Sequence, residues 1–132
     1  MKITILASVF LVFLVSCGST PKEDFTMFRS RFFSDSVFQM GRIQFPLTGE
    51  YSGPEMAGRD SVNTAKTWTK DTWTALRLSG IDTAQYEHSV SVAESTAVEK
   101  LVGKGFGYYL ECRFGRRQSQ QWYLTYMKLE NL

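Results

Sequence analysis

The densest runs of aromatic and large aliphatic residues lie near the C-terminal end of the chain, in residues 106–114 and 121–129. Residues of these types are typical of β-strands. Residues 115–118, between the two runs, have the glycine and polar side chains of a turn. The pattern predicts two long strands of one hairpin, and we expect the core of the domain to be built on them.

Alternating apolar and polar residues predict further half-buried strands. The alternation is clear in residues 42–47, 86–92 and 96–102. The first of these strands is expected to end at Pro46 or to lie at a sheet edge, because proline has no N–H for the ladder. Another strand is predicted over residues 73–78. The sheet should therefore contain a meander of four long strands and two earlier strands, curled into a cone.

A helical pattern precedes these strands. Thr20 and Glu23 have the spacing of a capping box, which predicts that a helix begins there. Four phenylalanines fall on one face of this helix and are expected to pack on the sheet as core: Phe25, Phe28, Phe32 and Phe33. Residues 34–36 supply capping side chains that end the helix and begin a second short turn over residues 37–40.

Residues 48–66 have no sustained period and are rich in turn-forming residues, which predicts a long loop. Such a loop either closes over the sheet as a lid or has no role in function. Together the elements predict an α+β fold. One or more N-terminal helices should pack on a strongly curved antiparallel β-sheet.

Charge argues against a nucleic-acid partner. The formal net charge of the 132 residues is +2, and loss of a leader containing Lys2 would lower it to +1. Nucleic-acid-binding domains normally carry a basic stripe. Here the local excess is limited to Arg113, Arg116 and Arg117 around the predicted hairpin tip, which we expect to be a solvated turn.

The two cysteines are not expected to form a disulfide, because Cys17 ends a leader and Cys112 lies within a strand. Cys112 alternates with apolar residues, which predicts a small buried hydrophobic side chain rather than a nucleophile. With one histidine and no cysteine pair at metal-ligand spacing, no metal site is expected. The chain also lacks a phosphate-binding glycine loop, and no cofactor is predicted.

The chain begins with a short basic start and an apolar run over residues 3–15. A helix that spans a bilayer needs about twenty apolar residues, so this run predicts a removable secretory signal. Leu14, Val15, Ser16 and Cys17 resemble the bacterial lipobox. This resemblance implies cleavage between Ser16 and Cys17 and acylation of Cys17.

Several acyl chains on Cys17 would hold the protein on a membrane. Gly18 follows the cysteine in place of the aspartate that retains some lipoproteins in the inner membrane, which by resemblance favours the outer membrane. The membrane face stays open, periplasmic or surface-exposed, although residues 22–24 resemble the acidic surface-export signal of Bacteroidetes lipoproteins. The predicted organisation is a signal peptide at 1–16, the lipidated Cys17 with a tether at 17–21, and one domain at 22–132.

Residues 32–47 resemble a family of Bacteroidetes lipoproteins of unknown function, whose pattern contains Asp-Ser-x-Phe-Gln and then Arg-Ile-x-Phe-Pro-Leu. Asp71, Trp73 and the late tryptophan strand fit the same pattern. The family is similar to the nuclear transport factor 2-like, or cystatin-like, fold, in which N-terminal helices pack in the concavity of a bent antiparallel sheet. The resemblance implies this fold for most of the mature chain and brings no catalytic residues.

Enzymes of the wider fold, such as ketosteroid isomerase and scytalone dehydratase, hold proton-transfer residues in the cone. The weak candidates for an isomerase- or dehydratase-type site are His88, Asp71 and Asp82, with Asp35, Tyr108 and Tyr126 as further possibilities. A working pair needs two such groups within hydrogen-bond reach. The spacing of these residues does not establish one.

The hypothesis we favour is a binding or protein-interaction module. An apolar or sugar ligand would contact aromatic walls in the cone formed by Trp68, Trp73, Tyr86, Tyr108, Trp122 and Tyr126. Alternatively, these rings fill the cone, and an edge strand or the open sheet face binds a partner. Apolar residues are predicted on both faces of the sheet, which favours a homodimer through the open face. One face is expected to carry Tyr109, Tyr123 and Met127, and the other face Tyr108, Leu110, Leu124 and Tyr126.

Overall fold

The computed structural model describes residues 18–54 and 64–131. Two short helices precede and flank a six-stranded sheet, in the order α1 (Phe25–Phe32), α2 (Ser36–Gly41), β1 (Ile43–Ser52), β2 (Thr64–Trp68), β3 (Tyr86–Val92), β4 (Thr96–Gly103), β5 (Tyr108–Arg116) and β6 (Trp122–Asn131). Within the described ranges, no helix is long and apolar enough to cross a membrane.

The strands are arranged in the order β2-β1-β6-β5-β4-β3. Neighbouring strands are antiparallel except for β1 and β6, which are parallel. Strands β3 to β6 form the predicted meander, and the predicted α+β class with a curved, mostly antiparallel sheet is confirmed.

The predicted start of the first helix is wrong. Asp24, not Thr20, is the N-cap of α1, and its side chain accepts a hydrogen bond from the Met27 N–H at 2.9 Å. Glu23 does not close a capping box because its carboxylate accepts hydrogen bonds from Arg42 and from the backbone N–H of Trp122. The second short helix is confirmed, with Asp35 as its N-cap.

The prediction for Pro46 is also wrong, since β1 continues to Ser52 and lies between β2 and β6. The pairing of β1 with β6 is irregular between Ile43 and Thr48, and the pairing with β2 begins at Leu47. The missing N–H of Pro46 therefore falls where the ladder is interrupted. Further along β1, a Cβ on Gly49 would lie 1.7 Å from the Met127 carbonyl oxygen, so only glycine fits this close approach.

The predicted strand over residues 73–78 is absent from the described chain, and the sixth strand is β2. The side chain of the buried Gln39 explains the difference. Its amide donates to the carbonyl oxygens of Phe32 and Leu76, and its oxygen accepts from Trp73 Nε1 and the Leu76 N–H. The backbone of Leu76 is thus hydrogen-bonded to a side chain instead of a neighbouring strand. The predicted loop over 48–66 is shorter at both ends, and its centre, residues 55–63, lies outside the described residues.

The concave side of the sheet, here called the core face, is filled by aromatic rings. Phe114 of β5 is 1% exposed, and its ring centroid lies 5.4 to 6.4 Å from the rings of the four phenylalanines of the α1 segment: Phe25, Phe28, Phe32 and Phe33. All four are buried, which confirms the prediction that they form core.

A β-bulge changes which residues of β6 point to the core. The register between β5 and β6 shifts so that Leu124 is opposite Phe114 while Tyr126 is opposite Arg113. The extra residue places Met127 on the core face and Tyr126 on the opposite, outer face. The predicted assignment of these two residues to sheet faces is therefore wrong, because strict alternation does not survive the bulge.

Candidate functional site

The six aromatic residues predicted to line a ligand pocket do not form one. Trp122 and Trp68 are buried in the core, and Trp73 is held by Gln39. Tyr86 and Tyr108 pack edge to face, with ring centroids 5.6 Å apart. Tyr126 lies on the outer face. The rings fill or flank the core instead of converging on one pocket.

Of the weak catalytic candidates, only His88 contacts a buried carboxylate, and that carboxylate belongs to Glu99. His88 Nε2 lies 2.8 Å from Glu99 Oε1, and Glu99 is 1% exposed. Asp82 instead accepts a hydrogen bond from the Ala84 N–H in a turn, and Asp71 is exposed in another turn. One sequence signal for Glu99 was overlooked, namely its place between Ala97 and Leu101 on the apolar side of a strand.

The His88 and Glu99 pair is held from the helix side by Arg29. Arg29 Nε donates to both carboxylate oxygens of Glu99 at 3.0 Å, and Arg29 Nη2 lies 3.3 Å from His88 Nε2. The guanidinium and the imidazole thus satisfy a carboxylate that would be costly to bury alone. The cluster attaches α1 to β3 and β4, and it therefore stabilises the packing of the helix on the sheet.

The outer face of the sheet carries a network of charges around Glu111. This carboxylate accepts hydrogen bonds from Tyr109 and Arg113 and lies 3.7 Å from Lys100 Nζ. Burial is the largest influence and raises the pKa of Glu111, but the two hydrogen bonds and the charges of Arg113 and Lys100 together hold the pKa below its ordinary value. Burial, with the hydrogen bond to Glu111, raises the pKa of Tyr109 to about 12. The charged groups at the centre of the outer face are therefore paired with one another.

Strand β3 forms one edge of the sheet and pairs only with β4 among the described residues. Six of its seven residues are exposed, and Val90 and Val92 are 41% and 53% exposed. The hydrogen bond from Ala93 N–H to Thr96 closes the turn to β4. Because antiparallel pairs alternate, residues 88, 90 and 92 direct their backbone N–H and C=O groups away from β4. The edge carries neither proline nor lysine, two residues that commonly protect exposed edges.

The N-terminal segment is fixed at one end of the sheet, at the β5–β6 tip (residues 117–121). The Glu23 N–H donates to the Gln120 carbonyl at 3.1 Å, and the Glu23 carbonyl accepts from Arg116 and from Trp122 Nε1 at 3.0 Å. The predicted cleavage and lipidation residues, Ser16 and Cys17, lie outside the described residues.

The free thiol of Cys112 is fully buried, and burial raises its pKa. This agrees with the predicted apolar role and with an unreactive thiol. Within the described ranges, no group of three or more His, Cys, Asp or Glu side chains is placed to hold a metal ion.

No protein-family model and no curated protein sequence matches the chain. Among solved structures, the chain is similar to an NTF2-like protein from Bacteroides fragilis NCTC 9343, with 24% identity and a TM-score of 0.61 over 84% of this chain and 48% of that chain. The fold is nuclear transport factor 2-like. The chain spans about half the length of that relative.

Two further structures have this nuclear transport factor 2-like architecture in common with the chain. A cystatin-like protein from Bacteroides caccae ATCC 43185 has 22% identity and a TM-score of 0.58, over 83% of this chain and 78% of that chain. A protein from Bacteroides uniformis ATCC 8492, solved by NMR, has 22% identity and a TM-score of 0.62, over 84% and 78%. At these identities the likeness establishes the fold alone.

Proposed function

We propose that the protein is a cell-envelope lipoprotein, held on the outer membrane by acyl chains on Cys17, whose nuclear transport factor 2-like domain binds another protein. Support for the anchor comes from the lipobox at residues 14–17. The observation that carries the binding role is the exposed edge strand β3 with Val90 and Val92.

Replacing Cys17→Ser tests the anchor. The variant should not be labelled by radioactive fatty acid and should leave the membrane fraction, because Cys17 carries the thiol that would be acylated. Cys112→Ala is the matched control and should keep both the label and the membrane association. A Cys17→Ser protein that still carries fatty acid would show that the anchor is elsewhere.

The edge of β3 is suited to strand addition, in which an extended segment pairs with an exposed sheet edge. Outward backbone groups at residues 88, 90 and 92 would supply the hydrogen bonds. Val90 and Val92 would contact apolar side chains at alternate positions of the added strand. The partner is therefore an extended segment with alternating apolar residues from another envelope protein.

A second copy of this chain fits the edge less well. If a two-fold axis relates two copies, their β3 strands form an antiparallel pair. The β5–β6 tips of the two copies then lie at opposite ends of the joined sheet. Both N-terminal segments start from those tips. Two acylated copies on one membrane would therefore be held apart by their short tethers.

An acid/base enzyme is the alternative, and the contact between His88 and Glu99 is the observation in its favour. The binding role is better supported for two reasons. Both oxygens of Glu99 already accept hydrogen bonds from Arg29, and phenylalanine rings occupy the core face where a substrate would lie.

The variant Val90→Pro tests strand addition. It removes an outward N–H without removing a hydrogen bond to β4, so the fold should tolerate it. A photo-crosslinking residue at position 87 should capture a partner in envelope membranes, and Val90→Pro should reduce the yield at least about tenfold. The control Val90→Thr keeps the N–H and should keep the crosslink. Undiminished capture by Val90→Pro, or capture of a second copy of this chain, would contradict the proposal.

A further inference from the structure

The β5–β6 tip and the N-terminal segment form one end of the domain. Glu23 is fixed there by hydrogen bonds to Gln120, Arg116 and Trp122, and its carboxylate lies 2.8 Å from Arg42. Lys22 pairs with Glu94 of the β3–β4 turn at the same end. The position of residue 23 relative to the sheet is thus fixed by several elements.

We propose that this end of the domain, with Arg116 and Arg117 at its centre, is a contact surface for the anionic headgroups of the membrane that holds Cys17. The inference rests on the proposed lipid anchor. Beyond the anchor, it gives the domain a fixed orientation on the membrane and a second contact, between the arginines and the anionic headgroups.

Chain length places the tip at the membrane. Glu23 lies six positions after Cys17 in the sequence. Even fully extended, six steps along the chain reach about 20 Å. The opposite end of the sheet, at the turn after β4, is about 30 Å away along the nine residues of β5. An acylated Cys17 therefore brings the tip toward the headgroups and directs the other turn away.

The charges at the tip are suited to an anionic surface. Lys22 is paired with Glu94, and Arg42 is paired with Glu23. Arg116 and Arg117, by contrast, form no ion pair with the described carboxylates. The guanidinium of Arg116 donates to the carbonyls of residues 23, 94 and 120, and it interacts with the nearby Glu94 carboxylate through charge alone. Arg117 has no carboxylate partner among the described residues and is the arginine most available to a headgroup.

Aromatic rings hold both arginines in place. The guanidinium of Arg116 lies 4.3 Å from the Trp122 ring centroid, and that of Arg117 lies 4.4 Å from the Tyr123 ring centroid. Lys22, Arg116 and Arg117 line an open groove of about 360 Å³, in which Glu94, the ion-pair partner of Lys22, is the one acidic side chain. Guanidinium groups match phosphate oxygens well in geometry, so a phosphate headgroup is the expected occupant.

The test uses the chain from Cys17 to Leu132 coupled through Cys17 to a maleimide lipid, so that it does not depend on acylation in the cell. Cys112 is buried and should not react. Hydrogen exchange of residues 117–121 is measured on phosphatidylcholine vesicles with and without phosphatidylglycerol. The tip should exchange more slowly on the anionic vesicles, whereas residues 103–107 at the far turn should not change.

Two charge reversals provide the matched comparison. Arg117→Glu should abolish the added protection, and the milder Arg117→Gln should reduce the contacting population about fivefold, since each basic residue near an anionic surface contributes about that factor. Lys104→Glu, at the far turn, should leave the tip protected. Equal protection on neutral and anionic vesicles, or equal effects of Arg117→Glu and Lys104→Glu, would overturn the inference. Fatty-acid labelling of Cys17 separately decides the anchor.

Discussion

Replacing Phe114→Ala should lower the free energy of unfolding by about 3–5 kcal/mol, the range for deleting a buried phenylalanine side chain. Phe114 is 1% exposed and is the ring that all four phenylalanines of the α1 segment contact. Its removal leaves a cavity between the helix and the sheet. Because small domains are stable by only about 5–15 kcal/mol, a large share of the stability should be lost.

Chemical denaturation followed by tryptophan fluorescence measures this loss, since Trp122 is buried beside the same cluster. Phe106→Ala is the matched control because Phe106 is 46% exposed, and it should cost far less. Similar losses for the two variants would contradict the packing described for the core face.

Replacing Arg29→Ala should lower the free energy of unfolding by about 3 kcal/mol, the lower end of the range for breaking a buried ion pair. The lower end applies because the Arg29 side chain is 25% exposed, whereas that of Glu99 is 1% exposed. The variant leaves the Glu99 carboxylate buried with only His88 as partner. Arg31→Ala, on the exposed side of the same helix, is the control and should change stability little.

A double-mutant cycle separates the ion pair from lost packing. Adding Glu99→Gln to Arg29→Ala removes the unpaired charge, so the double variant should be more stable than Arg29→Ala alone by at least about 1 kcal/mol. Simple additivity of the two single changes would show that the carboxylate does not depend on Arg29.

The sequence predicted the elements whose side chains repeat with a clear period. The strand bounds of β3 match the alternation of residues 86–92, and the buried phenylalanines match the helical spacing. Local patterns are informative there because each side chain contacts the layer that its period indicates.

The errors came from contacts between residues distant in the sequence. The Glu23 carboxylate accepts hydrogen bonds from Arg42 and Trp122, so it does not cap the helix. Gln39 forms hydrogen bonds with the backbone of Leu76, so no strand forms there. The bulge before Tyr126 exchanges the two faces of β6. Asp35, Gln39 and Trp73, where the sequence resembles the pattern of a lipoprotein family, form hydrogen bonds that stabilise the fold.

The candidate site was only partly foreseeable. An edge strand was one of the predicted interaction surfaces, but which strand lies at an edge depends on the strand order. That order requires the parallel pairing of β1 with β6, which no local pattern indicates. Likewise, the contact of His88 with Glu99 depends on the register of β3 with β4.

The most direct test of strand addition is residue-resolved hydrogen exchange across β3, compared between the purified protein and the protein in the envelope membranes of the producing cell. In the purified protein the amides of residues 87, 89 and 91 should be slow, and those of His88, Val90 and Val92 should be fast. In the membranes the second set should become slow as well. If those three amides exchange equally fast in both samples, β3 has no added strand and the proposed binding role is wrong.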